Sequence, residues 1–333
     1  MIIYSGIDVS KDKLDIALTK DGINIISTAT FQNSLLGFQR LSSWIKKRSK
    51  DFASIHFCIE ATGIYHEEIA EYLQEQENTI VSVINPFQAK SFANSRLLRT
   101  KTDRVDAALL SCYCAISKPR ETVKTSAEIK TLRKLVRYLN TLIEERAKQK
   151  TRLHSVKNED VANVVKATIK FYSQSISQME LKIKEHIKKF SKLNHQVKLL
   201  KSIKGIADRT SWQILAELHA GNTICAKAQV AHAGLAPRQF QSGSSMNGKP
   251  RICKTGNHRL RKALYMPAMS ALRHNRQLSE FYHRLISKGE LKMVALVAVM
   301  RKLLVIAIGI LNNNMPFDEN WVSKYQQNFA LAS

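Results

Sequence analysis

Cysteine is scarce in this chain: Cys58, Cys112, Cys114, Cys225 and Cys253 are the five in 333 residues. Their number is odd, and they form neither a CxxC pair nor a zinc-ligand spacing. A disulfide framework and a structural zinc finger are thereby excluded, and a reducing compartment is expected. The start Met1-Ile2-Ile3-Tyr4-Ser5-Gly6 has no basic segment leading into a long apolar core, so no signal peptide is expected. The longest apolar run, Met293 to Leu311, is broken by Arg301-Lys302 and reads as a buried helix rather than a membrane span. The expectation is a cytoplasmic protein with no membrane partner.

Acidic residues are short in one part only. Residues 1–122 carry 15 Lys/Arg against 14 Asp/Glu, whereas residues 123–333 carry 37 against 13, nearly all of the formal net charge of +25. A near-neutral first third joined to a basic remainder points to polyanion binding by the second part. The plainer alternative is a solvated basic surface. A hydrophobic content of 44% in a chain of this length allows two domains with real cores and excludes a disordered protein.

In the first third, residues 2–9 read as a buried strand ending near Asp8, and Lys13 to Thr19 as an alternating strand. Asp21-Gly22 reads as a hairpin turn and Ile23 to Thr30 as a third strand. Leu36, Phe38, Leu41, Trp44 and Ile45 give a helical apolar face over residues 35–48. A strand at 55–60 ends in Glu60, a helix spans 66–76, and a strand at 79–84 stops at Asn85-Pro86. The order predicts an α/β layer with a hairpin start and parallel later strands.

Asp103 and Asp106 sit three residues apart at the start of a helix predicted to run to about Ser117, and so share one face. Like charges on one face need a compensating cation, which Lys101, Arg104 or a divalent metal would supply. Taken alone, the pair is equally a dipole-favourable helix start. Asp8 and Glu60 change the picture, because both fall at carboxyl ends of strands, where ligands bind in open α/β sheets. Four converging carboxylates cannot be buried without cations. Two Mg²⁺ or Mn²⁺ ions about 4 Å apart satisfy them and suit in-line displacement at phosphorus.

Gly6-Ile7-Asp8-Val9-Ser10-Lys11, Glu60-Ala61-Thr62-Gly63 and Lys101-Thr102-Asp103-Arg104-Val105-Asp106-Ala107 resemble, in order, three motifs of the RuvC-like branch of the ribonuclease-H-like fold. The resemblance implies a RuvC-like mixed sheet with flanking helices for residues 1–122.

Beyond Ser126, Leu132, Leu135, Leu139 and Leu142 step at helical spacing. A second stripe runs through Ile169, Tyr172, Ile176, Met179, Ile183, Ile187 and Phe190. Residues 123–195 thus read as two long helices, either an antiparallel hairpin or a coiled-coil arm. Arg146, Lys148, Lys150 and Arg152 on the outer faces could grip phosphates. Residues 196–333 read as a mainly helical basic domain. Within it, Ile203-Lys204-Gly205-Ile206-Ala207 ahead of an apolar helix is either a phosphate-binding helical hairpin or a plain helix turn.

A Ser/Gly stretch, Gln239 to Ser245, is flanked by Arg238, Lys249, Arg251, Lys254, Arg259 and Arg261. It reads either as a flexible linker or as a loop holding a phosphodiester near a hydroxyl, with cations stabilising charge on phosphorus. The string from Ala233-Gly234-Leu235-Ala236-Pro237-Arg238 through Ser242-Gly243-Ser244-Ser245 to Lys254-Thr255-Gly256-Asn257-His258-Arg259-Leu260-Arg261-Lys262 resembles the C-terminal domain of DEDD transposases related to the Piv invertase. That resemblance, which spans about residues 4–310, implies an insertion-sequence transposase whose two domains share one active site. It implies that Asp8, Glu60, Asp103 and Asp106 hold Mg²⁺ or Mn²⁺, and that a loop serine forms a covalent phosphoserine link to DNA. Among Ser242, Ser244 and Ser245, Ser242 occupies the family's "SG" position. Further implied partners are DNA, a structured non-coding guide RNA (a bridge RNA) and further copies of the chain in a dimer or tetramer. The alternative is a two-metal Holliday-junction endonuclease using water, and a third reading is a nucleic-acid scaffold without chemistry.

Overall fold

The computed structural model describes residues 2–48, 53–61, 63–97, 102–218, 224–239, 241–242, 246–247 and 251–318. The chain forms two compact units, Met1–Lys124 and Thr125–Ser333.

The first unit contains β1 (Ile2–Val9), β2 (Lys13–Thr19), β3 (Ile25–Gln32), α1 (Leu35–Arg48), β4 (Ser54–Glu60), α2 (His66–Gln74), β5 (Thr79–Ile84), α3 (Pro86–Ser95) and α4 (Asp103–Ser117). The strands make one mixed sheet in the order β3-β2-β1-β4-β5. β1 pairs antiparallel with β2 and parallel with β4, and β4 pairs parallel with β5. The third strand begins two residues later than the hydrophobic pattern predicts. Asp21 accepts hydrogen bonds from the backbone of Ile23 and Asn24, and the hydroxyl of Thr19 donates to the Asn24 carbonyl. The turn therefore uses up Ile23 and Asn24 before pairing starts.

Alternation along the strands sorts the side chains between the sheet's faces. Ile3, Ile7 and Val9 of β1, Leu14, Ile16 and Leu18 of β2, and Ile55, Phe57 and Ile59 of β4 form one cluster with Phe38, Leu41 and Ile45 of α1 and Ile69 and Leu73 of α2. Leu36, expected on the buried face of α1, is exposed, while Trp44 packs edge-on against Phe31. The opposite face carries Gly6 and Asp8 of β1, Cys58 and Glu60 of β4, and Lys13 and Asp15 of β2. Cys58 clusters with Leu110 and Cys114 of α4 and with Ile84 and Ala89.

Gly6 sets the distance on that face. A Cβ there would lie 2.1 Å from the Ala107 carbonyl oxygen and 2.3 Å from the Ser111 amide nitrogen. Backbone of β1 and backbone of α4 therefore touch, with no room for a side chain.

The second unit begins with α5 (Ala127–Ser155) and α6 (Glu159–Lys189), joined through residues 156–158, with Asn158 capping α6. Leu132, Val136, Leu139 and Leu142 share a buried cluster with Ile176, Ile183 and Ile187, so the two helices pack on each other as an intrachain hairpin. There follow α7 (Ser191–Lys201), α8 (Asp208–Glu217), α9 (Ala226–His232), β6 (Pro237–Arg238), β7 (Gln241–Ser242), β8 (Met246–Asn247), β9 (Arg251–Ile252), α10 (His258–His274), α11 (Arg276–Ser287) and α12 (Lys292–Asn313). Ile203 and Ile206, in the connection between α7 and α8, are buried in the core. α12 is long and apolar enough to cross a bilayer. Here its Val299, Leu303, Leu304, Ala307 and Ile308 lie in the core of the second unit.

Gly6→Ala is expected to force α4 off β1 and to destabilise the first unit by about 1–3 kcal/mol, the usual cost of overpacking. A urea titration followed by near-ultraviolet circular dichroism reads the shift. An unchanged midpoint would show that α4 is loosely seated.

Candidate active site

Asp8 lies one residue past Ile7, which pairs with Ile59 of β4, and Glu60 follows Ile59. The two acids thus leave neighbouring parallel strands at the same level, on the face covered by α4. Asp103 and Asp106 occupy the first turn of α4. Thr102 caps that turn, its hydroxyl accepting from the Val105 amide and its carbonyl from the Asp106 amide. The cap fixes where the helix begins, and the Gly6 contact fixes how closely it approaches Asp8.

Electrostatics register the crowding. Burial pushes the Asp8 carboxyl up to about 6, and the charges of Asp106, Asp103, Glu60 and Asp15 push in the same direction. The three other acids singled out from the sequence thus all bear on Asp8, together with a fifth. Asp15, nearly fully buried, stands opposite Asp8 in the β1–β2 ladder. It accepts from the Thr30 hydroxyl at 2.6 Å and pairs with Lys13 at 3.2 Å. The Lys13 ammonium also sits 2.5 Å from a carboxylate oxygen of Asp103. Lys13 and Asp15 were missed in the sequence reading, although alternation along 13–19 places both on the face of Asp8. Arg104 is exposed, and Lys101 lies outside the described residues.

Among the described residues no three such side chains stand together as a ready cage for one ion. The chemistry of the donor set nevertheless fits hard divalent cations. The donors are carboxylate oxygens only, burial and the charges of the other acids load Asp8, and an ammonium already serves as counter-ion to Asp103.

In the second unit the described residues in and around the Ser/Gly stretch include two short strand pairs. β6 pairs antiparallel with β9, and β7 with β8. Ser242 ends β7, paired with Met246 of β8. Ser244, Ser245 and Lys249 lie outside the described residues. Arg238 and Arg251 are exposed and directly opposite each other in the β6–β9 ladder. Lys254 and Arg259 are exposed, whereas Arg261 is half-buried and donates to the Ala233 carbonyl at 2.8 Å. Arg261 therefore ties α10 to the end of α9.

A buried network anchors this region. Glu217, at the end of α8, receives Nε and Nη2 of Arg137 from α5 at 2.9 and 3.1 Å, and Nδ2 of Asn257 at 2.7 Å. Burial raises the Glu217 carboxyl, but Arg137 and Asn257 outweigh it and hold it below the ordinary range. Asn257 in turn caps α10 by accepting from the amides of Arg259 and Leu260. Its own amide donates to the His232 carbonyl. Gly256, at φ +123°, takes a conformation that L side chains rarely adopt, and a Cβ there would lie 2.1 Å from that same carbonyl. The Thr-Gly-Asn sequence is therefore the corner that seats the basic helix. Arg137 and Glu217, 80 residues apart, carried no sequence signal of their partnership.

A family model described as a transposase of IS110 type with a DEDD domain matches residues 5–158. A second, described as the transposase IS116/IS110/IS902 family, matches residues 197–283. The chain is 34% identical over 322 residues to a pilin gene-inverting protein of Moraxella bovis, covering 95% of this chain and 98% of that one. A pilin gene-inverting protein of Moraxella lacunata matches with the same identity and coverage.

Two outcomes follow from these geometries. Because the folded-state carboxyl of Asp8 is raised above its ordinary 3.8, the cluster costs stability as pH rises from about 4 to about 6, and the full cost persists above. In EDTA at pH 7.5, Asp8→Asn should therefore melt about 2–5 °C above wild type, with partial exposure limiting the gain. The difference should vanish at pH 4, and calorimetry at the two pH values checks it. Separately, Arg137→Met should cost about 3–5 kcal/mol by stranding the buried Glu217 carboxylate. The Arg137→Met/Glu217→Leu double variant should recover much of that loss in urea titrations.

Proposed function

The chain belongs to the IS116/IS110/IS902 family of transposases, and from that premise we propose that it is a DNA recombinase that cleaves and rejoins strands through a phosphoserine intermediate. The observation that carries the reading is the set of four carboxylates at one end of the β1–β4 pair and the start of α4, in a chain that also carries the family's serine stretch. The first unit is read as ribonuclease-H-like, with the carboxylates as its working face.

Asp8, Glu60, Asp103 and Asp106 would hold two Mg²⁺ or Mn²⁺ ions. Such ions neutralise a scissile phosphate and polarise its oxygens when bound. The chain's own residues divide the remaining work. Ser242 supplies the nucleophile: its oxygen forms an ester to phosphorus as the bond to one deoxyribose oxygen breaks, and that oxygen takes up a proton. Because the phosphoester is conserved, attack by a deoxyribose hydroxyl of another strand releases the serine and completes exchange. Arg238, Arg251, Lys254 and Arg259 bind the phosphate backbone, with Arg238 and Arg251 exposed and opposite each other in the β6–β9 ladder. Arg104, Lys101, Lys249 and Arg261 complete the set of basic residues assigned to nucleic acid, Arg261 also serving as a tether.

The excess of base over acid in residues 123–333 suits a second polyanion. We assign it to a structured guide RNA transcribed from the element. The working form is a dimer or tetramer in the cytoplasm.

A denaturing gel with labelled element-junction DNA, Mg²⁺ and the element's flanking transcript tests the proposal. Wild type should yield a protease-sensitive protein–DNA adduct, and Ser242→Ala and Asp103→Asn should yield none. Cleavage that persists in Ser242→Ala without any adduct would instead identify a two-metal nuclease using water. Adduct formation undiminished when the transcript is left out would remove the guide RNA.

A further inference from the structure

Among the described residues, the carboxylate face contains a cation of the chain's own. Lys13 is half exposed and would ordinarily point into solvent. Here its ammonium lies 3.2 Å from Asp15 and 2.5 Å from Asp103. Asp15 is nearly fully buried and is itself fixed by the Thr30 hydroxyl. One partner is thus a rigid anchor in the sheet, and the other is a half-exposed acid at the mouth of the site. The register that sets Asp15 opposite Asp8 puts this anchor beside the strand end that carries the first carboxylate.

We infer that Lys13 is a resident counter-ion of the carboxylate site, tethered by Asp15, and that a divalent cation must displace it from Asp103 in order to bind. The physical reason is competition for one oxygen. An ammonium at hydrogen-bond distance neutralises the carboxylate that a metal would coordinate, so the metal gains less from binding than it would at a bare acid. The tether makes the competitor local: once displaced, Lys13 remains held at Asp15 and reoccupies Asp103 when the metal leaves. The lysine thereby limits the repulsion among the acids in the metal-free protein while weakening metal affinity. This inference rests on the metal-binding reading proposed above.

The test is direct binding of Mn²⁺ to the full chain at pH 7.5, with free ion measured by electron paramagnetic resonance and no DNA present. Wild type should bind with an affinity that Asp8→Asn abolishes, which locates the ion. Lys13→Met should bind about threefold to fivefold more tightly, the scale expected for a half-exposed ion pair. Lys13→Arg should restore the wild-type value. Lys11→Met removes an exposed charge two residues away and should change affinity less than about twofold. Equal or weaker binding by Lys13→Met, or an equal gain in Lys11→Met, would overturn the role of Lys13 while leaving the metal site intact. No binding by either wild type or Lys13→Met at millimolar Mn²⁺ would overturn the metal reading, and the inference with it.

Discussion

Contact between two backbones at Gly6 governs the first unit. With no Cβ on β1, α4 lies directly on the strand, and the acids of its first turn come within electrostatic reach of Asp8. The attraction that holds this arrangement is apolar: Leu110 and Cys114 of α4 pack with Cys58 and Ile84 of the sheet. The force that opposes it is charge. Packing further down the helix thus holds the acids closer than they would settle alone, and the strain is relieved by cations, Lys13 among them.

The second unit solves a different problem. Its surface is strongly basic, and cations repel one another as acids do. Arg238 and Arg251 stay exposed and opposite each other, whereas Arg137 is drawn inward and neutralised by Glu217. A buried ion pair of this kind contributes little net stability, but losing one partner is expensive. Its geometry is specific: Glu217 holds Asn257, and Asn257 caps the basic helix and meets the end of α9. A few acids placed inside a basic unit set where its cations point.

The elements themselves were largely legible from local pattern. A buried apolar run marked β1, alternation marked β2, and two acids three residues apart marked the start of α4. The Leu132 to Leu142 stripe marked α5. Where the reading slipped, a side chain had intervened: Asp21 and Thr19 lengthened the first turn and delayed β3. Leu36 satisfied the helical spacing of α1, yet the structure leaves it exposed.

What the sequence determined by itself is the inventory and its local placement: Asp8 and Glu60 at strand ends, Asp103 and Asp106 on one helical face, and base segregated from acid along the chain. These depend on periods of two and 3.6 residues and on capping, which act over a few neighbours. Tertiary structure alone decided which of these groups meet. Register brought Asp15 opposite Asp8, the packing of α4 on the sheet brought Asp103 to Lys13, and helix packing joined Arg137 to Glu217 and Glu217 to Asn257. Such partners lie many residues apart, and their meeting depends on the packing of whole elements, for which no local pattern exists.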